Sequence, residues 1–219
     1  MLLEKNMTLK IYGVSASRAA RPLWVAHELG LSYEHVPVPF AGGATRKPEF
    51  LALNPNGHIP VVDDDGVVVW ESMACALYMA ERFTAADGTR LAAQTPAEQA
   101  DILRWTFWAV TECEKDALSV LMHRLAMPAD KRKPELAEEA ERRLVVPLKV
   151  LEQHLAQPGY THLAGERFTV ADICVASVLA WVKPAPQLLA ACPQLAAWLE
   201  RCLSRPAFAA VRALGRSAA

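Results

Sequence analysis

Long apolar runs are missing from this chain, and no stretch reaches the ~20 residues that a membrane-crossing helix needs. A membrane-embedded protein is therefore not expected. Charge of one sign is missing too. The formal net charge is -1, which leaves no basic face for nucleic acid or an anionic membrane. The five cysteines, Cys75, Cys113, Cys174, Cys192 and Cys202, are odd in number and contain no C-x-x-C. They read as free thiols buried in helices in a reducing, cytoplasmic setting. His123, His154 and His162 have no ligand spacing to one another, to cysteine or to carboxylates, so no metal is expected. Gly42-Gly43 is not a phosphate loop, because neither G-x-x-x-x-G-K-S/T nor G-x-G-x-x-G occurs. Residues 1–6 lack the apolar centre of a signal peptide and read as an extension before a second methionine, Met7. Repeats and low-complexity tracts are absent.

What is present is globular. Hydrophobic residues make up 53% of 219 and charged ones 21%, enough apolar mass for one large core or two small ones and too much for disorder. The first ~80 residues alternate between strand-like and helix-like patterns. Residues 8–12 read as a strand, and 17–29 as a helix stopped by Gly30. A second strand over 32–36 is closed by Pro37 and Pro39, and 48–53 is a short helix. Strands over 61–63 and 67–70 are joined by Asp64-Asp65-Gly66, a strong hairpin signal. Residues 72–83 then form a helix. The order βαβ–α–ββα combines one crossover unit with a terminal hairpin, a small mixed sheet carrying helices. Pro22 conflicts with a helix starting at Ser17, because proline one turn inside removes an i→i−4 bond. An irregular first turn would resolve the conflict and re-aim Ser17.

Periodicity is lost over 84–95, which reads as a linker. Thr95-Pro96-Ala97-Glu98 is a helix start, with a cap, proline at the first position and a capping-box glutamate. Everything beyond reads as helix. Leu136, Ala140, Leu144, Leu148, Leu151 and Leu155 form one apolar stripe, with a bend expected at Pro147. Thr169 and Asp172 make a second capping box flanked by a Phe168–Ile173 staple. Asp172 is thus structural. Leu195, Trp198, Leu199 and Cys202 belong to a late helix. The expected division is an α/β domain over 7–84, a linker over 85–94 and an all-α domain over 95–219.

Chemistry points to the run Asn54-Pro55-Asn56-Gly57-His58-Ile59-Pro60-Val61-Val62. A proline opening a strand cannot donate to the ladder, so it marks an edge, a bulge or a cis bond. Ile59 before it is left with backbone groups open to a ligand. Glu71-Ser72 at the next strand-to-helix junction offers a carboxylate, a hydroxyl and free helix amides. Together they suit a small zwitterionic peptide: backbone pairing for its middle, a carboxylate for its amine, N–H donors for its own carboxylate.

These residues resemble the glutathione S-transferase family, of the cytosolic, serine-type, bacterial-like or theta/zeta/phi-like kind. The resemblance rests on Ile59-Pro60, Glu71-Ser72, the opening Ile11-Tyr12-Gly13-Val14-Ser15-Ala16-Ser17-Arg18 and Phe168-Thr169-Val170-Ala171-Asp172-Ile173. It implies a thioredoxin-like N-terminal domain that binds glutathione as co-substrate. It also implies an all-helical C-terminal domain on the acceptor side of a cleft, and a homodimer. Ser17 falls where serine-type members carry the activating hydroxyl; Ser15 and Tyr12 are alternates, and Arg18 adds positive potential. The resemblance places Ile59 and Pro60 on the cysteinyl residue, Glu71 on the γ-glutamyl amine, Ser72 on its carboxylate, and His58 and Arg46 near the glycine end. Trp105 and Trp108 are candidates for the acceptor pocket, although aromatics at helical spacing are more often core. A thiol of pKa ~8.5 must fall by ~2 units, ~2.7 kcal/mol, to be thiolate at neutral pH. A hydroxyl beside a helix N-terminus can supply that in a dry site. The implied activity is conjugation of glutathione to an apolar electrophile. A glutathione-dependent isomerase, a disulfide reductase and a non-catalytic scaffold are the alternatives.

Overall fold

The computed structural model describes residues 9–216, in two compact units. Thr8 of the expected first strand, and the expected extension over 1–6, lie outside the described residues.

The first unit takes the chain up to Leu91 and its last helix. It is built on strands β1 (Leu9–Tyr12), β2 (Glu34–Val36), β3 (Val61–Asp64) and β4 (Val67–Trp70), in the order β2-β1-β3-β4. β1 and β2 are parallel, and the other two pairings are antiparallel. The β3–β4 hairpin turns on Asp65 and Gly66 at φ 50° and 95°, the two positive values that a two-residue primed turn demands. Helices α1 (Ala20–Glu28), α2 (Pro48–Leu51) and α3 (Ser72–Arg82) complete the α/β part.

Strand alternation sorts the two sheet faces. Ile11 pairs with Val62 and Leu9 with Asp64, so these four share a face. Tyr78 of α3 donates to Asp64 Oδ2 at 2.8 Å, which puts α3 on that side. Leu23, Trp24, Cys75, Ala76 and Met79 of α1 and α3 are fully buried and form its core. Tyr12 and Val36, register partners on the other face, line a cavity with Phe50 of α2 and with Leu53.

α1 begins three residues later than the sequence pattern predicts. Residues 15–19 form an irregular turn and the helix opens at Ala20. Pro22 is then in the first turn, where a missing N–H is no loss.

A second departure concerns the last helix, α10 (Pro206–Arg216). The sequence pattern places it with the all-α domain over 95–219, yet it belongs to the first unit. Its Phe208 ring meets Trp24 of α1 at 4.5 Å between centroids. Burying a second large aromatic on Trp24 outweighs chain continuity.

The second unit, residues 92–205, is all helix: α4 (Pro96–Trp108), α5 (Lys115–Leu121), α6 (Pro134–Leu155), α7 (Val170–Leu179), α8 (Pro186–Ala190) and α9 (Pro193–Leu203). Wider π-type turns over Ala109–Glu114 and Met122–Ala126 follow α4 and α5. The predicted cap at Thr95 accepts from Glu98 N–H at 3.1 Å. Glu98 reaches back to Gln94 N–H rather than to Thr95, and pairs with Arg167 at 2.8 Å. That ion pair holds the Glu98 carboxyl below the usual range. α6 runs unbroken through Pro147. Ala140, Leu144, Leu148, Leu151 and Leu155 of its predicted stripe are buried, whereas Leu136 at its start is not. The capping box of α7 closes in both directions between Thr169 and Asp172.

Candidate functional site

Every residue expected to hold the peptide lies in the first unit. The site grows from the end of β1. Gly13 follows Tyr12 with φ 127°, a value that L side chains rarely adopt. A Cβ there would stand 2.8 Å from Ala19 Cβ and 3.1 Å from Ile59 Cβ. Glycine therefore lets the Ile59 loop and the turn carrying Ser17 close on the same point. His35 Nε2 holds the Gly13 carbonyl at 2.8 Å and fixes this corner from β2.

Ser17 sits in the turn before α1. Its hydroxyl donates to Val14 O at 2.7 Å and accepts from Ala19 N–H at 3.1 Å. It is therefore not the cap of a helix beginning at residue 17. Ser15 is half-buried, and a Cβ on Gly215 of α10 would stand 2.9 Å from its Oγ. Arg18 is exposed. Tyr12 points to the other sheet face, and burial raises the pKa of its phenol. It lines a cavity of about 440 Å³ with Val36, Pro37, Pro39, Lys47 and Phe50 among others.

The Ile59-Pro60 bond is cis. Among the described residues, the backbone N–H and C=O of Ile59 have no hydrogen-bond partner. The loop before it is held by Asn54, whose Nδ2 donates to His58 O at 2.7 Å and whose Oδ1 accepts from Asn56 N–H at 3.0 Å. His58 itself is exposed. Arg46 donates to Asn56 O at 3.1 Å and packs over Gly57, where a Cβ would meet its guanidinium at 2.7 Å. One arm of its exposed head thus holds the same loop. The neighbouring Lys47, not singled out from sequence, lines the cavity instead.

Glu71 joins β4 to α3 at φ 71° and ψ 117°, one of two non-glycine residues with positive φ among those described. Its exposed side chain makes no capping hydrogen bond to α3. Strained backbone of this kind costs ~1–3 kcal/mol and collects at ligand sites. Ser72 opens α3 and is only 4% exposed. Its Oγ accepts from Arg21 Nη1 at 2.6 Å. Arg21, 1% exposed, is a residue of this corner that sequence reasoning missed. A signal for it exists: a lone arginine within Ala19-Ala20-Arg21-Pro22-Leu23-Trp24-Val25, an apolar stretch in which a charge needs a partner.

Trp105 and Trp108 lie in the second unit. Trp105, 4% exposed, meets Trp108 edge-on at 5.1 Å and His154 at 4.6 Å, and His154 in turn meets Tyr160 at 4.3 Å. Trp105 is thus a buried residue whose ring packs on Trp108 and His154. Burial pushes His154 below its ordinary range.

Two family models match the chain: "Glutathione S-transferase, N-terminal domain" over residues 7–81 and "Glutathione S-transferase, C-terminal domain" over 115–206. Glutathione S-transferase 3 of Zea mays is 37% identical over 206 residues, covering 91% of each chain. The structure of a theta class glutathione S-transferase from Xanthomonas axonopodis pv. citri with glutathione bound superposes with a TM-score of 0.79 at 31% identity, covering 91% of this chain and 94% of that one. Elongation factor 1-gamma of Equus caballus is 33% identical over 175 residues, 78% of this chain and 37% of that protein.

Proposed function

The chain belongs to the glutathione S-transferase family, and on that premise we propose that it binds glutathione in its first unit, stabilises the thiolate with Ser17 and transfers it to an apolar electrophile. Within the family it falls with the plant phi/tau-like class. The observation that carries the proposal is the convergence at Gly13, where the Ser17 turn meets Ile59 with its backbone groups open.

The chemistry follows from what each group has left to give. The open Ile59 backbone pairs with the cysteinyl residue as an added strand would. Glu71 takes the γ-glutamyl amine, and Ser72 with the first amides of α3 takes its carboxylate. The sulfur then falls to Ser17. Val14 O already accepts Ser17 N–H at 3.1 Å, so it keeps a partner when the hydroxyl turns away to the sulfur. The Ala19 N–H donated to Oγ polarises that hydroxyl and strengthens it as a donor. The thiolate attacks an electrophilic carbon, the C–S bond forms, and the leaving group departs with its electron pair.

Exposed apolar residues support a homodimer. Leu103, Phe107 and Val110, at helical spacing along α4 and the turn after it, are exposed, as is Phe40 at 69%. Five buried free thiols fit a reducing compartment.

The test is the ultraviolet absorbance of glutathione thiolate on the protein, titrated against pH beside Ser17→Ala. Thiolate near neutral pH that vanishes in the variant supports the transferase reading. Bound glutathione without thiolate favours a reductase or isomerase that uses glutathione differently. No binding favours the scaffold reading, to which the similarity to elongation factor 1-gamma lends weight.

A further inference from the structure

Resting on the glutathione reading above, we infer that Arg21 is a positioning residue, which acts through Ser72 to select a peptide bearing a γ-glutamyl α-carboxylate. Arg21 lies one turn beyond Ser17, on α1, and its guanidinium crosses to the first residue of α3. Guanidinium can only donate, so the 2.6 Å contact occupies a lone pair of Ser72 Oγ. The Ser72 proton is thereby turned away from Arg21 and has no acceptor among the described residues. A buried hydroxyl forced into this state is a donor waiting for an acceptor.

Electrostatics point the same way. The backbone amides that open α3 carry the positive end of an eleven-residue helix. Arg21 brings its guanidinium to the Ser72 hydroxyl oxygen at this helix start, at 1% exposure. Two donors, the Ser72 hydroxyl and the α3 amides, define a place for an anion. Glu71, next in the chain, is of the opposite sign and serves the amine on the same carbon. The zwitterionic head of the peptide is matched charge for charge, and Arg21 sets the orientation of the group that reads its anionic half.

The test compares glutathione with 4-aminobutanoyl-cysteinyl-glycine, which keeps the amine and lacks only the α-carboxylate. Calorimetric affinities for both are measured with wild type, Arg21→Met, Ser72→Ala and the double variant. Wild type should prefer glutathione. Arg21→Met should weaken glutathione ~10- to 100-fold, the range of a hydrogen bond to a charged group, and leave the analogue nearly unchanged. Adding Ser72→Ala to Arg21→Met should cost much less than Ser72→Ala alone. Equal weakening of both peptides, or no weakening of either, overturns the role of Arg21 while the glutathione reading stands. A wild-type protein that binds neither peptide overturns both. Should Arg21→Met fail to fold, Arg21→Lys keeps the buried charge without the planar fork. Its preference for glutathione over the analogue should then drop below half the wild-type ratio, and a ratio of half or more overturns the role of Arg21.

Discussion

The Ser17 hydroxyl donates to the carbonyl of Val14 at 2.7 Å, three residues back in the turn that precedes α1. That bond holds the side chain in one orientation without tying it to a helix cap. Ser17→Ala should remove the sulfur's donor and leave the turn intact, because the Ser17 N–H to Val14 O bond remains. Turnover should fall well over tenfold while glutathione affinity changes less than about threefold, the pattern of a group that acts on the thiolate. Steady-state kinetics and calorimetry on one preparation decide it. Full turnover would move the role to Ser15 or Tyr12.

Glu71 should show a conflict between stability and function. Glycine relaxes a backbone at φ 71°, so Glu71→Gly should stabilise the protein by ~1 kcal/mol in urea unfolding. The same change deletes the carboxylate for the γ-glutamyl amine, and glutathione should bind at least tenfold more weakly. Lower stability would show that the side chain supports α3 after all.

Asp172 is fully buried and satisfies four donors: Thr169 N–H at 2.8 Å, Thr169 Oγ at 3.2 Å, Leu163 N–H at 3.1 Å and Trp198 Nε1 at 2.9 Å. Asp172→Ala strands all of them inside the second unit and should cost ~3–5 kcal/mol. The melting temperature, or the yield of folded protein, reads the loss directly. A change under ~1 kcal/mol would contradict the capping role.

Alkali should destabilise the protein through its thiols. Burial raises Cys75 to about 12 and pushes Cys113 up as well. Unfolded thiols ionise near pH ~8.5. Above that pH the unfolded state has lost protons that the folded state keeps, so stability falls as pH rises. Urea midpoints between pH ~8 and ~10 should decline, and by less in Cys75→Ala than in wild type. At pH ~8 the native protein should leave Cys75 and Cys113 unreacted with a thiol reagent until it is unfolded. Fast labelling of either in the native state would refute their burial.

The legible parts of this chain are those carried by local pattern. The Asp65-Gly66 hairpin, the Thr169–Asp172 capping box and the buried stripe from Ala140 to Leu155 are set by residues within a few positions of one another. The cis bond at Ile59-Pro60 is within reach for the same reason, since only proline makes it common. At Trp105 local pattern gives no decision, because a tryptophan on a helix looks alike whether it faces a pocket or its own bundle. The Arg46 contact with Asn56 O is not legible either, because a backbone atom is a partner that no residue type announces.

Sequence alone thus determined the order of elements and the two kinds of domain, because these depend on periodicity, caps and turn chemistry that act over one or two turns of chain, whereas the candidate residues for glutathione rest on the family resemblance. Tertiary structure alone decided that α10 returns to pack on Trp24, that Gly13 brings Ile59 against the Ser17 turn, and that Arg21 reaches Ser72. Each of these is settled by segments far apart in the chain, according to where apolar area and hydrogen-bond partners meet in space. No local rule encodes that choice.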